Sequence, residues 1–283
     1  MQAEKKEWDL IIKANSKWSD IDFKAIFHYK DLVFLFVKRD FVTTYKQTVL
    51  GPLWFFIQPL ITSFAFTIIF GKIAKLSTDN IPPMLFYLSG ITLWSYFSDC
   101  LIKSSSTFIS NASIFGKVYF PRLITPISIA FSNLLKLGLQ LVIFSGVYLY
   151  YYESAHLHFN IERFWVFPFL IILMGGLGIG FGILISSMTT KYRDLMFLVG
   201  FGVQLLMYGS SVVIPISLVS DNFRKFLLFN PVTITIEAFK NIFLGNGYFN
   251  YSMLAYAFLF MLVVLSMGVI AFSKTEKKFM DTV

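Results

Sequence analysis

The chain has 283 residues, of which 56% are hydrophobic, and its mean hydropathy of +0.68 is too high for a soluble domain. Its formal net charge is +8, from 24 lysines and arginines against 16 acidic residues. In a soluble protein this charge would indicate nucleic-acid binding, but in a multi-pass membrane protein it follows from the excess of basic residues in cytoplasmic loops. Composition therefore predicts an integral membrane protein and argues against nucleic acid as a partner.

Cysteine content and the N-terminal composition exclude two further classes. The single cysteine, Cys100, excludes an intramolecular disulfide and a multi-cysteine metal site. The first 30 residues are polar and charged, without the continuous apolar segment of a secretory signal peptide. The long apolar spans are therefore expected to act as their own insertion signals.

In chain order, the sequence divides into three parts. Residues 1–27 form an N-terminal extension that is expected to be cytoplasmic. Residues 28–273 form the predicted transmembrane domain, which begins with a predicted interface helix at 28–50. Residues 274–283 form a basic cytoplasmic tail.

The stretch "VKRDFVTTYKQTVLGPLWFFIQPL", residues 37–60, joins a charged amphipathic helix to the first span. The amphipathic half predicts a helix lying in the membrane interface with its basic side exposed. Its apolar side contains Phe34, Val37, Phe41 and Tyr45. Gly51-Pro52 predicts the corner between the two helices, because proline has no N–H to leave unsatisfied in the first turn of a helix.

Six apolar segments approach the length of about 20 residues that a membrane-spanning helix needs. Their approximate bounds are 53–70, 84–99, 124–150, 164–187, 195–213 and 253–272. Outside these spans, 17 lysines and arginines fall on one side of the membrane and 6 on the other. Since short cytoplasmic loops carry the basic excess, both termini are predicted to be cytoplasmic.

Two connections between spans are unusual. The cytoplasmic "SNASIFGKVYFPRLITP", residues 110–126, mixes apolar with basic residues and predicts a short interfacial helix. The outer connection, residues 214–250, is too long for a turn and too apolar for a solvated loop. Pro215 and Asn230-Pro231 divide it, which predicts two short helices that dip into the membrane and return.

No catalytic or metal-binding constellation stands out. His156 and His158, with Glu153 nearby, are two apart in an outer loop, and a solvated loop explains them better than a metal site. "GGLGIGFG", residues 175–182, lies within a span and lacks the strand and loop of a nucleotide-binding motif. Its glycines have the small-xxx-small spacing of closely packed helices, either as Gly176 and Gly180 or as Gly178 and Gly182.

Lys136 is about ten residues into the third span, where a buried cation is costly and needs a partner. Asp99 is one candidate partner; a contact with an anionic group of a substrate and simple snorkelling are the alternatives. Aromatic side chains are abundant in the first two spans, where Trp54, Tyr87 and Trp94 are candidates either for the interfacial belt or for a surface that contacts sugar rings.

Together these segments resemble one family: the permease subunits of ABC-type exporters of O-antigen, teichoic acid and capsular polysaccharide. "RDFVTTYKQTVLGPLWFFIQPL" is similar to the family's N-terminal segment, and "GKVYFPRLITP" to its cytoplasmic segment between spans two and three. "NPVTITIEAFKNIFLG" is similar to its outer re-entrant region, and "SKTEKKFMDTV" to its tail. The similarity covers most of residues 28–283; residues 1–27 match nothing in the family.

The resemblance implies an all-α integral membrane fold with six transmembrane helices, an N-terminal interface helix, and two re-entrant outer helices before the last span. It also implies a homodimer with a channel between the copies, and two copies of a separate ATPase subunit on the cytoplasmic side. ATP and magnesium would bind to that partner. We therefore expect no catalytic residues, metal or cofactor in this chain.

The resemblance further assigns candidate site residues. A coupling segment to the ATPase would comprise Gly116, Lys117, Val118, Tyr119, Phe120, Pro121 and Arg122. A second cytoplasmic contact would comprise Lys191, Tyr192, Arg193 and Asp194. The candidates for the channel lining are Trp54, Tyr87, Trp94 and Lys136. The candidates for meeting the pyrophosphate of a lipid-linked substrate are Lys38, Arg39 and Lys46, which alternatively serve as lipid-headgroup contacts or as the positive-inside signal.

The predicted function is export of a lipid-linked polysaccharide across the bacterial inner membrane, with O-antigen of lipopolysaccharide as the first candidate. Two alternatives remain open: a membrane-embedded transferase acting on lipid-linked sugars, and an exporter of small molecules or drugs. The spans supply almost no acid or base groups for a transferase. The aromatic content and the N-terminal motif disfavour the small-molecule exporter.

Overall fold

The computed structural model describes residues 27–46, 48–155 and 157–280, so nearly all of the predicted extension 1–27 lies outside the described residues, as do His156 and the last three residues of the tail. The described part of the chain is helical and contains no strand. Its α-helices are α1 (Lys30–Tyr45), α2 (Trp54–Phe66), α3 (Pro83–Ser105), α4 (Thr107–Ser110), α5 (Ala112–Phe115), α6 (Ile124–Tyr152), α7 (Phe167–Thr189), α8 (Leu195–Tyr208), α9 (Asp221–Phe229), α10 (Pro231–Leu244) and α11 (Tyr251–Met280).

Short non-α elements extend two of these helices. A 3-10 turn, Gly51–Leu53, precedes α2, and a π-helical segment, Thr67–Ile73, follows it. Another 3-10 turn, Ile161–Val166, leads into α7. Gly51 has a φ of +51°, a left-handed conformation that favours glycine, and Pro52 follows it in the first turn. The predicted break between the two helices at Gly51-Pro52 is therefore confirmed.

Five helical segments in the described part are long and apolar enough to cross a membrane. They are Gly51–Ile73, Pro83–Ser105, Ile124–Tyr152, Ile161–Thr189 and Tyr251–Lys277. The predicted fifth span, 195–213, is the exception. Helix α8 has 14 residues and ends at Tyr208, so at ~1.5 Å per residue it is about 21 Å long, shorter than the ~30 Å hydrocarbon core.

Helices α9 and α10 provide a sixth candidate span if they are counted together. They meet at 100°, the geometry of a broken span or of a re-entrant loop. The break follows from local chemistry: Asn230 caps α10 by accepting a hydrogen bond from the N–H of Val232 at 3.0 Å, and Pro231 occupies the first helical position. The membrane domain thus contains five or six spans.

Helix α3 is the centre of the bundle. In the apolar part of α3, 78% of the residues are buried, against 17% in the segment that contains α2 and 28% in α11. It packs against α7, α6 and α2, while α11 packs on the other side of α7. The outer helices expose apolar side chains such as Ile61, Phe197 and Leu259, as expected for surfaces that face lipid or a partner.

The glycines of α7 allow this close packing on both of its faces. A Cβ added at Gly178 would lie 2.6 Å from the carbonyl oxygen of Phe97, and one at Gly182 would lie 2.5 Å from Cβ of Ser104, both on α3. A Cβ at Gly180 would lie 3.0 Å from Cγ1 of Val264 on α11. The sequence offered two glycine pairs as alternatives. Both lie at close helix contacts, one pair against α3 and the other against α11 on the opposite face of α7.

Helix α10 is buried along nearly its whole length and carries a buried charge. Lys240 Nζ donates to the carbonyl oxygen of Ser211 at 2.5 Å, lies 3.4 Å from Glu237 Oε1, and sits 3.7 Å from the ring centre of Phe86. Glu237 in turn accepts a hydrogen bond from the N–H of Tyr248. These contacts join α10 to α3 and to the two segments that contain Ser211 and Tyr248.

Candidate functional site

The two predicted ATPase-facing segments lie at the same end of the bundle. Thr189, the last residue of α7, donates a hydrogen bond to the carbonyl oxygen of Ser105, the last residue of α3, at 2.9 Å. The segments that follow these two helix ends, 106–123 and 190–194, therefore emerge side by side. Both segments thus lie on one surface of the protein.

Within the predicted coupling segment, residues 116–122, only the first part is exposed. Lys117 is exposed, and Val118 and Tyr119 have exposed fractions of 59% and 61%. Phe120 and Arg122 are each only 4% exposed. Burial lowers the pKa of the Arg122 guanidinium from its usual value, while the Glu276 carboxylate acts in the opposite direction. A surface for a partner is therefore offered by residues 116–119, and the end of the segment faces inward.

The second predicted contact is exposed throughout. Lys191, Tyr192, Arg193 and Asp194 all have exposed side chains, and Lys191 Nζ lies 5.2 Å from the ring centre of Tyr192. This turn between α7 and α8 thus has the charged and aromatic groups available for docking that the sequence anticipates.

An aromatic cluster links α1 to the coupling segment and to the last helix. Its buried members are Phe36, Phe108, Phe115, Phe120, Ile124, Ile183 and Phe272. Phe36 of α1 lies edge-on to Phe120 at 5.6 Å. Phe36 is the buried aromatic residue of α1, at 4% exposed, whereas Phe34, which the sequence assigns to a side that faces lipid or protein, is 75% exposed. The side chain of Tyr45 lies outside the described residues.

The predicted partner of Lys136 is confirmed. Lys136 Nζ donates to Asp99 Oδ2 at 2.6 Å, and the two side chains are 14% and 25% exposed. The cation also lies 5.9 Å from the ring centre of Phe55 on α2. Because the ammonium is already paired, its charge is balanced within the protomer.

Two further polar pairs flank this ion pair along α3 and α6. Ser95 donates to Gln140 Oε1 at 2.8 Å, and Lys103 Nζ donates to Asn133 Oδ1 at 2.8 Å. The pairs repeat about every four residues on both helices, as the face of two antiparallel helices requires. The sequence showed only the central pair, although the i, i+4 spacing of the polar residues would have revealed the other two.

The aromatic lining candidates fall in different environments. Trp54 is 45% exposed on α2, but Tyr87 and Trp94 on α3 are 0% and 6% exposed. Tyr87 lies edge-on to Phe66 and Phe86 in the core. Of these three rings, only Trp54 is at the surface of the protomer.

The basic residues predicted to meet a pyrophosphate also differ from one another. Lys38 and Lys46 have exposed side chains. Arg39 donates two hydrogen bonds, at 2.8 and 2.9 Å, to its neighbour Asp40, and its guanidinium lies 4.5 Å from the ring centre of Phe36. An anion near α1 would therefore meet Lys38 or Lys46 more readily than Arg39.

A helical bundle of five or six apolar spans is the architecture of a multi-pass membrane protein. The model of the ABC-2 type transporter family matches residues 31–244, so the chain belongs to this family.

Three curated relatives extend the comparison. Two proteins of Klebsiella pneumoniae, each named O-antigen export system permease protein RfbA, are 24% identical over 251 residues, covering 89% of this chain and 94% of theirs. A protein of the same name from Myxococcus xanthus is 22% identical over 224 residues, covering 78% of this chain and 83% of its own. The resemblance predicted from the sequence is thereby confirmed.

Proposed function

We propose that this chain is the membrane-spanning subunit of an ATP-driven exporter that moves a lipid-linked polysaccharide, with O-antigen as the first candidate, across the bacterial inner membrane. The observation that carries this proposal is the similarity to O-antigen export permeases along almost their whole length. The substrate class is taken from those relatives, while the transporter class follows from the family.

In this proposal, two copies of the chain enclose the channel and two ATPase subunits dock on residues 116–119 and 191–194. In this arrangement α8 crosses the membrane despite its 14 residues, α9 and α10 form a re-entrant pair on the outer side, and both termini therefore face the cytoplasm. Helix α1 lies in the membrane interface. ATP and magnesium bind to the ATPase, and this chain binds no cofactor. The exposed turns at one end of the bundle support this arrangement, as does the bend of 100° between α9 and α10.

A movement of the ATPase would be passed to the spans through the aromatic cluster. Phe36 connects α1 with Phe120 of the coupling segment, and the corner at Gly51 connects α1 with α2. A movement of the coupling segment would thus shift α1 and the first span, and so open the wall of the channel. Trp54 on α2 would then contact sugar rings, and Lys38 and Lys46 would meet the pyrophosphate at the cytoplasmic mouth.

The proposal is tested by purifying the chain together with a co-expressed ATPase subunit and by following glycan export in cells. We expect the ATPase to copurify, and we expect deletion of the permease gene to leave the lipid-linked glycan on the cytoplasmic face. Glycan that still reaches the outer face in the deletion strain would contradict the proposed substrate, and the absence of a copurifying ATPase would contradict the proposed transporter.

Charge reversal at Lys117 is expected to weaken docking of the ATPase without disturbing the fold, because this side chain is exposed at the end of the bundle. Lys117→Glu should retain about tenfold less ATPase on the purified permease, since reversing a charge within an interface removes its electrostatic complementarity. Lys274→Glu, an exposed lysine on α11 near the same end, is the matched control and should retain the wild-type amount. Equal retention by both variants would remove Lys117 from the docking surface.

A further inference from the structure

Arg122, at the end of the coupling segment, is buried against the last helix rather than exposed to a partner. Its Nη1 donates to the carbonyl oxygen of Glu276 at 3.3 Å, and its Nε lies 4.0 Å from Glu276 Oε1. The guanidinium also lies 5.0 Å from the ring centre of Phe115. A buried arginine of this kind needs both a counter-charge and hydrogen-bond acceptors, and Glu276 supplies one of each.

Glu276 also holds the main chain of the coupling segment. The backbone N–H of Arg122 donates to Glu276 Oε1 at 3.4 Å. A contact with a side chain alone would tolerate movement of the backbone by rotation about the side-chain bonds. The contact with the N–H ties the main chain of the segment, and not only the Arg122 side chain, to Glu276 of α11.

A second contact joins α11 to the beginning of the same loop. Phe272, one turn before Glu276, is fully buried and stacks on Phe108 at 4.4 Å between ring centres. Phe108 lies three residues after the end of α3, and Arg122 lies two residues before the start of α6. The last turns of α11 therefore hold the loop 106–123 at both of its ends.

From α11, the contacts continue into the core of the bundle. Gly180 of α7 faces Val264 and Leu265, and Gly268 of α11 faces the carbonyl oxygen of Gly180. Helices in such close contact move together, because separating them would open a void and moving them closer would cause overlap. The loop, α11 and α7 thus form one connected body.

We infer that Glu276 is a positioning residue of the transporter: it clamps the coupling segment to α11, so that a movement imposed on the segment is passed through α11 to α7. This inference rests on the proposed function for the role of the segment. The clamp itself is a property of the protomer and can be measured without any partner.

The clamp is tested first on the purified permease alone. A spin label is placed at Val118→Cys, on the exposed part of the segment, in a Cys100→Ser background that removes the only native cysteine. We expect Glu276→Ala to increase the mobility of the label, and Glu276→Gln to increase it less, since the amide oxygen still accepts from the N–H of Arg122. Lys274→Ala is the matched control and should leave the spectrum unchanged.

Unchanged label mobility in Glu276→Ala would overturn the clamp, whatever the function of the protein. If Glu276→Ala does not fold, Glu276→Gln gives the answer, because a spectrum identical to the wild type would then count against the clamp. A permease that retains no ATPase would instead contradict the proposed function and would leave the spin-label result standing.

The transmission role is tested on the complex with the ATPase. We expect Glu276→Ala to lower the glycan exported per ATP hydrolysed by about tenfold, within the usual range of coupling between two sites, while the amount of ATPase retained stays at the wild-type level. Glu276→Asp, which keeps the charge, should recover part of the coupling. If the glycan exported per ATP remains normal, Glu276 does not transmit movement. This holds also when total export falls because less ATPase is bound.

Discussion

Replacing Lys136 with methionine is expected to destabilise the folded protein by about 3–5 kcal/mol, because it leaves the carboxylate of Asp99 buried without its counter-charge. The two side chains are mostly buried and 2.6 Å apart, so little solvent can replace the ammonium next to the carboxylate. Thermal unfolding of the detergent-solubilised protein, followed by size-exclusion chromatography, measures the loss.

The double variant Lys136→Met/Asp99→Asn is expected to recover most of this stability, since it removes both charges together. Lys103→Met is a useful control on the same helix pair: it removes a hydrogen bond to the neutral Asn133 and should cost only about 1.5–3 kcal/mol, the worth of a hydrogen bond to a charged group. If Lys136→Met is as stable as the wild type, the lysine reaches water by itself and the pair contributes nothing.

The same variants separate a structural role for Lys136 from a role in transport. If the double variant is stable and exports glycan normally, the charge of Lys136 serves the fold alone. If it is stable but exports poorly, Lys136 contacts the substrate in a conformation where it has left Asp99, and its predicted place in the channel lining gains support.

Replacing Gly182 with leucine is expected to abolish folding, because α7 and α3 have no room for a side chain at their closest approach. Even a Cβ would lie 2.5 Å from Cβ of Ser104 and 2.8 Å from the carbonyl oxygen of Leu101. Gly182→Ala should therefore cost about 1–3 kcal/mol, the usual range for overpacking a core. The yield of monodisperse protein and its thermal stability are the measurements.

Gly138 on α6 and Gly200 on α8 are the matched controls, because a Cβ at either would meet nothing within 4 Å. Alanine at these positions should be neutral or stabilising by about 0.5–1 kcal/mol, since glycine is the less favourable residue within a helix. A destabilisation at Gly182 no larger than at Gly138 would show that the α3–α7 contact is looser than the structure places it.

Several features followed from local patterns in the sequence. These features are the long apolar segments, the helix breaks at Gly51-Pro52 and Asn230-Pro231, and the pairing of Lys136 with Asp99. Each depends on residues close together in the chain or on a strong local energetic demand. A charge within a span must find a partner, and proline favours the first turn of a helix, whatever the rest of the fold does. The family resemblance rested on the same short segments.

The burial of particular side chains needed the tertiary structure. The sequence makes Tyr87 and Trp94 candidates for the channel lining, and the structure places both inside the protomer. The sequence assigns Arg122 to the coupling segment, and the structure buries its side chain against α11. Within a membrane, lipid and protein interior are similarly apolar, so a span carries little hydrophobic asymmetry to show which face is covered. Which face is covered depends on the neighbouring helices, and these come from distant parts of the chain.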